Sequence, residues 1–384
     1  MDHALASKGR RIRTLLAMAC DGGGPSQTCL NIANGAFRAG YDIDVFANRR
    51  RVPLPDVPLT LSLPGPLLGQ LPYQRVVKAA SRRLEKQFLK AVQPGDIAYL
   101  WPAASVDMHR RLNEMGVDVV LEAINTRMSS ARKILDAAYA DFGVPPAHGI
   151  TDRRIAEEEE KYHYCQAIFA PNRNVEHALK GSPLEHCILP SSYGVHTDLA
   201  STPRTRYGKD RLTVMFCGYA CVRKGAHFLL DAWKKMPAGH RLQIVGRIEP
   251  IIATRYADLL DSDRVEVVGF VENVHDYFAK ADIFVMPSLE EGGPQVTYEA
   301  AVHGAAIIAS PMGASRLGDE EGTMLVLDPS DREALEDGLA RLLASADLRQ
   351  TLGETARARV EYFDWDKVGA RRAAQMQQTD LLAR

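Results

Sequence analysis

Short apolar runs alternate with amphipathic stretches along almost the whole chain of 384 residues, and this alternation constrains the fold more than any other feature. It is typical of parallel βαβ units. The alternation is interrupted at residues 203–209, which are polar and include Pro and Gly, and it restarts at Leu212. A chain of this length is also too long for one core of ordinary size. We therefore predict an α/β fold with two Rossmann-like doubly wound domains that face each other across a cleft, with a linker at 203–209.

The hydrophobic pattern predicts the strands and helices of both halves of the chain. Residues 51–72 are rich in Pro and Leu and predict a long connection in the first half. Because ligands bind at the carboxyl ends of the strands in open parallel sheets, the loops after these strands are the candidate site. Predicted strands lie at 14–19, 44–47, 96–101, 118–122, 167–170, 188–189, 212–217, 242–245, 265–268, 282–286, 305–309 and 324–327. Predicted helices lie at 27–38, 73–92, 129–140, 151–164, 226–236, 333–344, 348–362 and 364–377.

The composition of the chain limits which binding partners and which cell compartment are expected. The net charge of −1 gives no global attraction to nucleic acid or to an anionic membrane, so any anion must be bound locally. Six cysteines are scattered without zinc-like spacing, which predicts free thiols in a reducing cytoplasm. No apolar run is long enough to cross a bilayer and no signal peptide is evident. We expect a cytoplasmic protein without a nucleic-acid partner.

Two glutamates, Glu291 and Glu299, bracket a loop and a helix start after the strand predicted at 282–286. Glycines allow close approach of a ligand to the backbone, proline suits a first helical turn, and N–H groups at a helix N-terminus can hold a diphosphate. Two carboxylates at this spacing can bind two parts of one ligand, although ordinary solvated carboxylates remain the plainer alternative. The residues that follow Glu291 are Gly292, Gly293, Pro294 and Gln295.

This segment resembles the donor-binding motif of the retaining glycosyltransferases of family 4, also called glycosyl transferases group 1. The resemblance implies a GT-B fold, a nucleoside diphosphate sugar as donor and no metal ion or other cofactor. It also implies that Glu291 contacts the donor sugar ring and that Glu299 contacts the hydroxyls of the nucleotide ribose. The family pattern E-G-[FL]-[GP]-x-x-x-x-E, continued by A-x-x-x-G, is matched at Glu291, Gly292, Pro294, Glu299, Ala300 and Gly304.

A second part of the candidate site is the loop after the strand at 212–217. Arg223 and Lys224 at the end of this loop can neutralise a diphosphate as its negative charge grows during transfer. The loop resembles the G-R-x4-K-G element of the same family, in which Gly218, Lys224 and Gly225 match. The arginine of that element is Tyr219 here, so Arg223 is a candidate to replace it. A basic loop that only caps a strand is the alternative.

In the first half, a glycine turn and two polar residues are weaker candidates. Gly23 and Gly24 lie between the first strand and the first helix, and in the family such a turn faces the donor across the cleft. Asn125 follows the strand at 118–122, and His148 lies in a Pro-rich turn. Either residue fits the polar position that family members carry near the cleft, or a structural role as a cap or turn residue.

The helix at 73–92 carries six basic residues on one face and apolar residues on the other. Such helices can lie on anionic membranes, and this reading places the protein peripherally on the inner face of the plasma membrane. A solvated face on a packed helix is the more common explanation. The family resemblance also divides the chain into an acceptor-side domain at 1–200, a donor-side domain at 201–362 and a helix at 363–384 that crosses back to the first domain.

The function implied by the resemblance is transfer of a sugar from a nucleotide sugar to a glycan, a lipid-linked or a small-molecule acceptor, with retention of anomeric configuration. A glycoside hydrolase that uses Glu291 and Glu299 as its two carboxylates is an alternative, although it leaves the basic loop without a role. A nucleotide-sugar epimerase of the same fold is another. A non-catalytic nucleotide-sugar-binding protein is the rival outside enzymes, and Tyr219 is its best support.

Overall fold

The structure is a computed structural model, and it describes residues 9–63, 72–201 and 211–378. The predicted linker at 203–209 lies outside the described residues, as does part of the predicted connection at 51–72. One sheet is formed by residues before 202 and the other by residues after 210, and every strand pair in them is parallel. The predicted α/β class with two doubly wound parallel sheets is therefore confirmed. The exact domain limits at 200 and 362 stay predictions.

The first sheet has the strand order β3-β2-β1-β4-β5-β6-β7. The chain reverses its direction of winding between β1 and β4, so the loop after β1 opens at a topological switch point. The buried strands read as continuous apolar runs because helices cover both faces of a parallel sheet. The strands are β1 (Ile12–Cys20), β2 (Ile43–Arg50), β3 (Leu59–Leu61), β4 (Ile97–Leu100), β5 (Asp118–Glu122), β6 (Ala167–Ala170) and β7 (Ile188–Pro190).

Helices connect the strands of this sheet. The first helix begins three residues before its predicted start, because Pro25 is well suited to the first helical turn. Side-chain caps set other starts, as where Thr151 accepts a hydrogen bond from the Arg154 N–H. The helices of the first half are α1 (Gly24–Arg38), α2 (Tyr73–Ala91), α3 (Val106–Glu114), α4 (Met128–Asp141), α5 (Asp152–Tyr162) and α6 (Arg173–Ala178).

The second sheet repeats the plan with the order β10-β9-β8-β11-β12-β13, and its switch point lies between β8 and β11. Its strands are β8 (Thr213–Cys217), β9 (Arg241–Val245), β10 (Val265–Gly269), β11 (Ile283–Met286), β12 (Ala306–Ala309) and β13 (Leu325–Val326). Its helices are α7 (Ala226–Lys235), α8 (Pro250–Arg255), α9 (Ala257–Leu260), α10 (His275–Phe278), α11 (Gln295–Val302), α12 (Arg332–Ala344) and α13 (Ala346–Val360).

The last helix, α14 (Trp365–Gln377), packs against α1 of the first half. Two glycines allow this close contact. A Cβ atom at Gly35 would lie 2.8 Å from the Asp366 Cα atom, and one at Gly369 would lie 2.6 Å from the Ala36 nitrogen. Real side chains essentially never come this close, so the glycines let the two helix backbones touch.

The sequence prediction missed β3 and five short or polar helices, namely α3, α6, α8, α9 and α10. Helix α3 carries few apolar residues and starts at a cap in which Ser105 accepts from the Met108 N–H. Helix α6 has six residues and is capped by Asn172. Such short helices depend on caps and on packing with the rest of the fold, so hydrophobic periodicity does not reveal them.

Candidate functional site

The candidate residues of the second half lie in two loops at the switch point of its sheet. One loop, residues 218–225, follows β8, and the other, residues 287–294, follows β11. Gly225 has φ +67° and packs so closely on Pro287 that a Cβ atom would overlap the Pro287 carbonyl. The Leu289 N–H donates to the Arg223 carbonyl oxygen at 2.9 Å. The two loops are therefore held together, with Arg223 and Lys224 at their junction.

Lys224 and Glu291 form a buried ion pair at this junction. The Lys224 Nζ atom lies 2.7 Å from Glu291 Oε1, and an Arg223 Nη1 atom lies 3.6 Å from Glu291 Oε2. Burial alone would raise the pKa of Glu291, but the charges of Lys224 and Arg223 bring it below its ordinary value. Glu291 is therefore ionised at neutral pH. The structure brings together these three residues, which the sequence predicted as one group.

Glu290 has a role at this junction that the sequence prediction did not assign. Its carboxylate accepts from the Thr126 N–H of the first half at 3.1 Å, and Arg223 Nη1 lies 3.3 Å from its Oε2 atom. Arg223 also donates to the Glu290 carbonyl oxygen at 2.9 Å. Burial raises the pKa of Glu290, and Arg223 opposes this shift. Glu290 thus links the orientation of Arg223 to the position of the first half.

Glu299 is the fifth residue of α11 and is half-buried. Burial raises its pKa to about 7. Among the described residues, no side chain or N–H group donates to its carboxylate within hydrogen-bonding distance. Its charge adds to burial in raising the pKa of the Cys217 thiol, at the end of β8, to about 12. Glu299 therefore faces the same loops with its hydrogen-bonding capacity unused.

Gly292 and Gly293 are needed for a different reason from the one expected. The sequence suggested close approach of a ligand, but the first half of the chain fills the space beside both glycines. A Cβ atom at Gly292 would overlap the Ile124 carbonyl oxygen, and one at Gly293 would lie 2.7 Å from the Tyr193 ring. Asn172 also donates to the Gly292 carbonyl oxygen. These glycines let the two halves close on each other.

Pro294 and Gln295 lie at the start of α11. Pro294 is the residue before the helix, and Gln295 is its first residue. The Gln295 side chain donates to the Thr28 hydroxyl of α1 in the first half.

Gly218, at the end of β8, has φ +124°, a backbone conformation that favours glycine. A Cβ atom there would lie 3.5 Å from Lys224 Nζ, so Gly218 borders the same ion pair.

Gly23 and Gly24 form an exposed turn after β1, and Gly24 has φ +47° with open space where a Cβ atom would lie. Ser26 donates to the Asp21 carboxylate at 3.1 Å and to the Gly23 carbonyl at 2.9 Å, which fixes the turn. Neither glycine has a close neighbour that would explain it by packing. This exposed turn at the N-terminus of α1 agrees with the predicted ligand-facing position and does not test it.

His148 and Tyr219 border one cavity of about 400 Å³ together with Arg223. His148 Nε2 lies 2.8 Å from an Asp136 carboxylate oxygen. Tyr219 is 45% exposed, so it lies open at the position where the family arginine was expected. Asn125 is also exposed, on the loop after β5. The structure therefore places His148 at a cavity bordered by the basic loop, and the backbone of Asn125 beside Gly292 of the loop after β11.

Glu249 is a further residue that the sequence prediction missed. One oxygen of its buried carboxylate accepts from the Val222 N–H at 2.9 Å, and the other accepts from the Tyr139 hydroxyl at 2.7 Å. Tyr139 lies on α4 of the first half, so Glu249 holds the loop 218–225 against the opposite side of the cleft. No sequence motif marks Glu249, because its two partners come from distant parts of the chain.

Helix α2 packs its apolar face inward. Leu84 and Phe88 are fully buried, and the Phe88 ring lies 5.1 Å from the Phe46 ring of β2. The basic residues expected on the opposite face are exposed, namely Arg75, Lys78, Arg82, Arg83, Lys86 and Lys90. The structure thus accounts for the amphipathic pattern by packing. In the described parts of the chain, no helix combines the length and apolar character needed to span a membrane.

The comparisons with known proteins agree with this geometry. A family model described as glycosyl transferases group 1 matches residues 211–345. A GDP-mannose-dependent monoacylated alpha-(1-6)-phosphatidylinositol monomannoside mannosyltransferase of Corynebacterium glutamicum is 31% identical over 280 residues, 66% of this chain and 72% of that protein. A D-inositol 3-phosphate glycosyltransferase of Xylanimonas cellulosilytica is 28% identical over 272 residues, 63% of each chain.

The alignment with the Xylanimonas protein spans less than two thirds of that protein's length. Among solved structures, sucrose-phosphate synthase from Thermosynechococcus elongatus superposes with a TM-score of 0.71 at 20% identity, over 96% of this chain and 99% of that chain. The two sheets, their switch points and the loops between them define a protein of the GT-B fold. The chain belongs to the glycosyl transferases group 1 family.

Proposed function

We propose that this chain transfers a sugar from a nucleoside diphosphate sugar to an acceptor hydroxyl, with retention of anomeric configuration and without a metal ion. The observation that carries the proposal is the junction of the two loops, where Lys224 and Arg223 lie beside ionised Glu291. Glu299 faces the same loops with an unpartnered carboxylate. Cations and carboxylates placed together suit a ligand with both phosphates and hydroxyl groups.

Lys224 and Arg223 are the proposed ligands of the diphosphate. In the structure their charges are balanced by Glu291 and Glu290, which hold both cations at fixed positions. Cations that are oriented before the reaction stabilise the negative charge that develops on a leaving diphosphate, and little reorganisation is then required. The N–H groups of Gly292, Gly293 and Gln295, in the loop after β11 and at the start of α11, would assist.

Glu291 is the proposed ligand of the transferred sugar, and Glu299 that of the ribose. An ionised carboxylate accepts two hydrogen bonds and therefore fits a pair of sugar hydroxyls. Glu291 would contact the sugar once a diphosphate has drawn Lys224 towards itself. Gly23 and Gly24, across the cleft at the N-terminus of α1, would face the donor from the first half.

The proposed reaction proceeds on one face of the sugar. The bond between the anomeric carbon and the diphosphate oxygen breaks, and a bond from the acceptor oxygen forms on the same face. The acceptor proton passes to the leaving diphosphate oxygen. Glu291 is paired with Lys224 in the structure and its pKa is lowered, so we assign it no role as a covalent nucleophile or as a general acid.

The hydrolase alternative would use Glu299 as the acid, and its pKa of about 7 fits that role. The hydrolase alternative, however, leaves Arg223 and Lys224, which lie against Glu290 and Glu291, without a role in the reaction. The non-catalytic alternative rests on Tyr219, which occupies the position of the family arginine. Arg223 lies beside Glu291 and can supply the guanidinium from four positions further along the chain.

The donor base and the acceptor are left to experiment. The Corynebacterium relative is named for GDP-mannose and a phosphatidylinositol mannoside, and the Xylanimonas relative for D-inositol 3-phosphate. Polyol phosphates and mannolipids are therefore the first acceptors to test, and other glycans should be tested with them. For a lipid-linked acceptor, the exposed basic face of α2 would provide peripheral contact with an anionic membrane on its cytoplasmic side.

The experiment is a transfer assay with uridine and guanosine diphosphate sugars against these acceptors, in buffer containing a chelator. The proposal expects acceptor-dependent release of the nucleoside diphosphate, and a product whose anomeric configuration by NMR equals that of the donor. An inverted product would refute retention. Activity that disappears with the chelator and returns with a divalent ion would refute metal independence. Binding of a nucleotide sugar without transfer to any acceptor would favour the binding protein.

A further inference from the structure

A second cavity, separate from the candidate site, lies where three parts of the chain meet. Its volume is about 390 Å³. One wall is the segment 190–192, at the end of β7; the second is the loop after β12; and the third is the end of α13 with α14. None of the residues assigned to the donor lines it. Four arginines do, and we call it the arginine cavity: Arg316, Arg359, Arg371 and Arg372.

Three of these arginines have carboxylate partners. Arg372 Nη1 lies 2.6 Å from a Glu122 oxygen, and Arg359 Nε lies 2.7 Å from a Glu320 oxygen. Arg316 pairs with Glu176 and lies 3.4 Å from an oxygen of Asp319, whose carboxylate also lines the cavity. Their charges are therefore balanced within the protein.

Arg371 is different. No carboxylate among the described residues lies within ion-pair distance of its guanidinium. The group donates to the Tyr362 carbonyl at 2.8 Å and lies 3.9 Å from the centre of the Tyr362 ring. Burial lowers the pKa of Arg371, and the nearby charges of Arg359 and Arg372 lower it further. A fixed guanidinium thus lies in the cavity with one positive charge unbalanced.

The walls of the cavity are held rigidly. Three consecutive carbonyl oxygens of the segment 190–192 each accept a hydrogen bond from a side chain of another wall. The donors are Gln375 to Pro190 at 2.9 Å, Arg316 to Ser191 at 2.9 Å, and Arg372 to Ser192 at 2.9 Å. The cavity is therefore formed before any ligand binds, and its shape depends on both sheets and on α14.

We propose that the arginine cavity binds a small molecule that bears a phosphate group, with Arg371 as the main ligand of the phosphate. A guanidinium offers two parallel N–H donors, which match two phosphate oxygens. The Tyr362 ring holds Arg371 from one side, and the Arg359 guanidinium lies over the same ring at 4.6 Å. The volume exceeds that of a phosphate ion, which leaves room for a polar organic part.

Because the three walls belong to different parts of the chain, an occupied cavity stabilises the arrangement in which the two halves are closed. Ligand binding at this position is thermodynamically linked to closure of the cleft, in whichever reaction the cleft serves. The binding itself does not depend on the proposed transfer.

The test is calorimetric titration with inorganic phosphate and with glycerol 3-phosphate at pH 8, in a phosphate-free buffer. Wild-type protein should bind glycerol 3-phosphate with a dissociation constant on the order of millimolar or lower, and Arg371→Gln should weaken binding at least about tenfold. Arg371→Lys keeps the charge and loses the paired donors, so it should give an intermediate value. Arg153→Gln is the matched control, since Arg153 lies on an exposed helix face, and it should bind like wild type.

Lys224→Ala separates this cavity from the candidate donor site, which also carries cations. Binding that is lost in Arg371→Gln and retained in Lys224→Ala supports the proposal. Binding that is lost in Lys224→Ala and retained in Arg371→Gln overturns it, as does the absence of binding in wild type. If circular dichroism shows that Arg371→Gln does not fold, the affinities of Arg371→Lys and Lys224→Ala for glycerol 3-phosphate are compared instead. Weaker binding in Arg371→Lys alone supports the proposal, and weaker binding in Lys224→Ala alone overturns it.

Discussion

Lys224 Nζ lies 2.7 Å from Glu291 Oε1, and both side chains are largely shielded from solvent. This ion pair joins the loop after β8 to the loop after β11 at the switch point of the second sheet. On our proposal the donor divides the pair, because its diphosphate competes for Lys224 and its sugar hydroxyls satisfy Glu291. The pair thus keeps two ligands of one substrate in position before the substrate arrives.

The first prediction concerns the two cations of this loop. Arg223→Ala and Lys224→Ala should each slow transfer on the order of 10²–10³-fold, as expected for loss of a preorganised group that stabilises developing negative charge. Because both would act on the same diphosphate, the double variant should lose less than the product of the two factors. Steady-state rates at saturating acceptor provide the measurement.

Tyr219→Arg serves as the companion variant, since it restores the residue type of the family pattern at an exposed position. It should be neutral or mildly activating. Full activity in both Arg223→Ala and Lys224→Ala would show that the loop is a surface cap, and the reading of the chain would then move to a nucleotide-sugar-binding protein.

The second prediction is a pH dependence that arises from Glu299. Its pKa is raised to about 7, so the carboxylate ionises as the pH rises from 6 to 8. The ionised form accepts two hydrogen bonds from a ribose, and affinity for the donor should therefore increase over this interval. Calorimetry with an intact nucleotide sugar is the suitable measurement, because that ligand has no terminal phosphate that titrates in this range.

Glu299→Gln should remove this pH dependence. The sign for stability is opposite: a raised pKa means that the folded state prefers the protonated carboxyl, so its contribution to stability falls as the pH rises from the unfolded value of 4.5 towards 7. We therefore expect the free energy of unfolding of wild type without ligand to fall between pH 5 and pH 8. That of Glu299→Gln should fall less, so the variant gains stability relative to wild type over this interval. A donor affinity that is flat in wild type from pH 6 to 8 would contradict the assignment to ribose.

The third prediction tests closure of the two halves. Gly292→Ala places a methyl group where the Ile124 carbonyl oxygen lies, so the first half must move away. Since Lys224, Arg223 and Glu299, the proposed ligands of the diphosphate and the ribose, lie in the second half, the variant should retain nucleotide affinity within about threefold and lose most transfer activity.

Gly149→Ala is the control for Gly292→Ala, because its nearest neighbour is a flexible Arg154 guanidinium at 3.5 Å. Small-angle X-ray scattering should show a larger radius of gyration for Gly292→Ala than for the control. Equal transfer rates in the two variants would show that the close contact at Gly292 has no part in the reaction.

The fourth prediction concerns the buried pair between α14 and β5. Arg372 is 1% exposed and Glu122 is fully buried, and Arg372 also donates to Tyr99 and Ser192. Arg372→Met leaves an unpaired buried carboxylate and should reduce the free energy of unfolding by about 3–5 kcal/mol. Arg153→Met, on an exposed face, should change it by less than about 0.5 kcal/mol.

The double variant Arg372→Met with Glu122→Leu identifies the cause. It removes both charges and should recover part of the lost stability, as measured by urea unfolding. No recovery would indicate that loss of the hydrogen bonds to Tyr99 and Ser192, rather than the unpaired carboxylate, is responsible.

The sequence predicted the long elements well because their signal is local. The strand at 118–122 and the one at 167–170 match β5 and β6, and most others agree within two residues. Their continuous apolar runs follow from burial on both faces of a parallel sheet. The grouping of Glu291, Lys224 and Arg223 was also predictable, since each residue follows a strand of the same sheet.

The parts that the sequence could not supply depend on distant residues. The Arg372–Glu122 pair joins positions 250 residues apart, and no periodicity reports such a contact. The sequence showed that Gly292 belongs to the candidate motif. The group that packs against it, the Ile124 carbonyl, is known only from the structure. The role of Glu290 likewise depends on the Thr126 N–H, which belongs to the other half.

We expect the junction of the two loops to bind a nucleoside diphosphate sugar through Lys224 and Glu299. The most direct measurement is a calorimetric titration of wild type, Lys224→Ala and Glu299→Ala with uridine and guanosine diphosphates and their sugars, with Arg153→Ala as control. Wild type and the control should bind one nucleotide series equally. Each site variant should lose on the order of 1.5–3 kcal/mol of binding free energy. Equal affinity in all four proteins, or no binding of any nucleotide by wild type, would show that this junction is not the donor site.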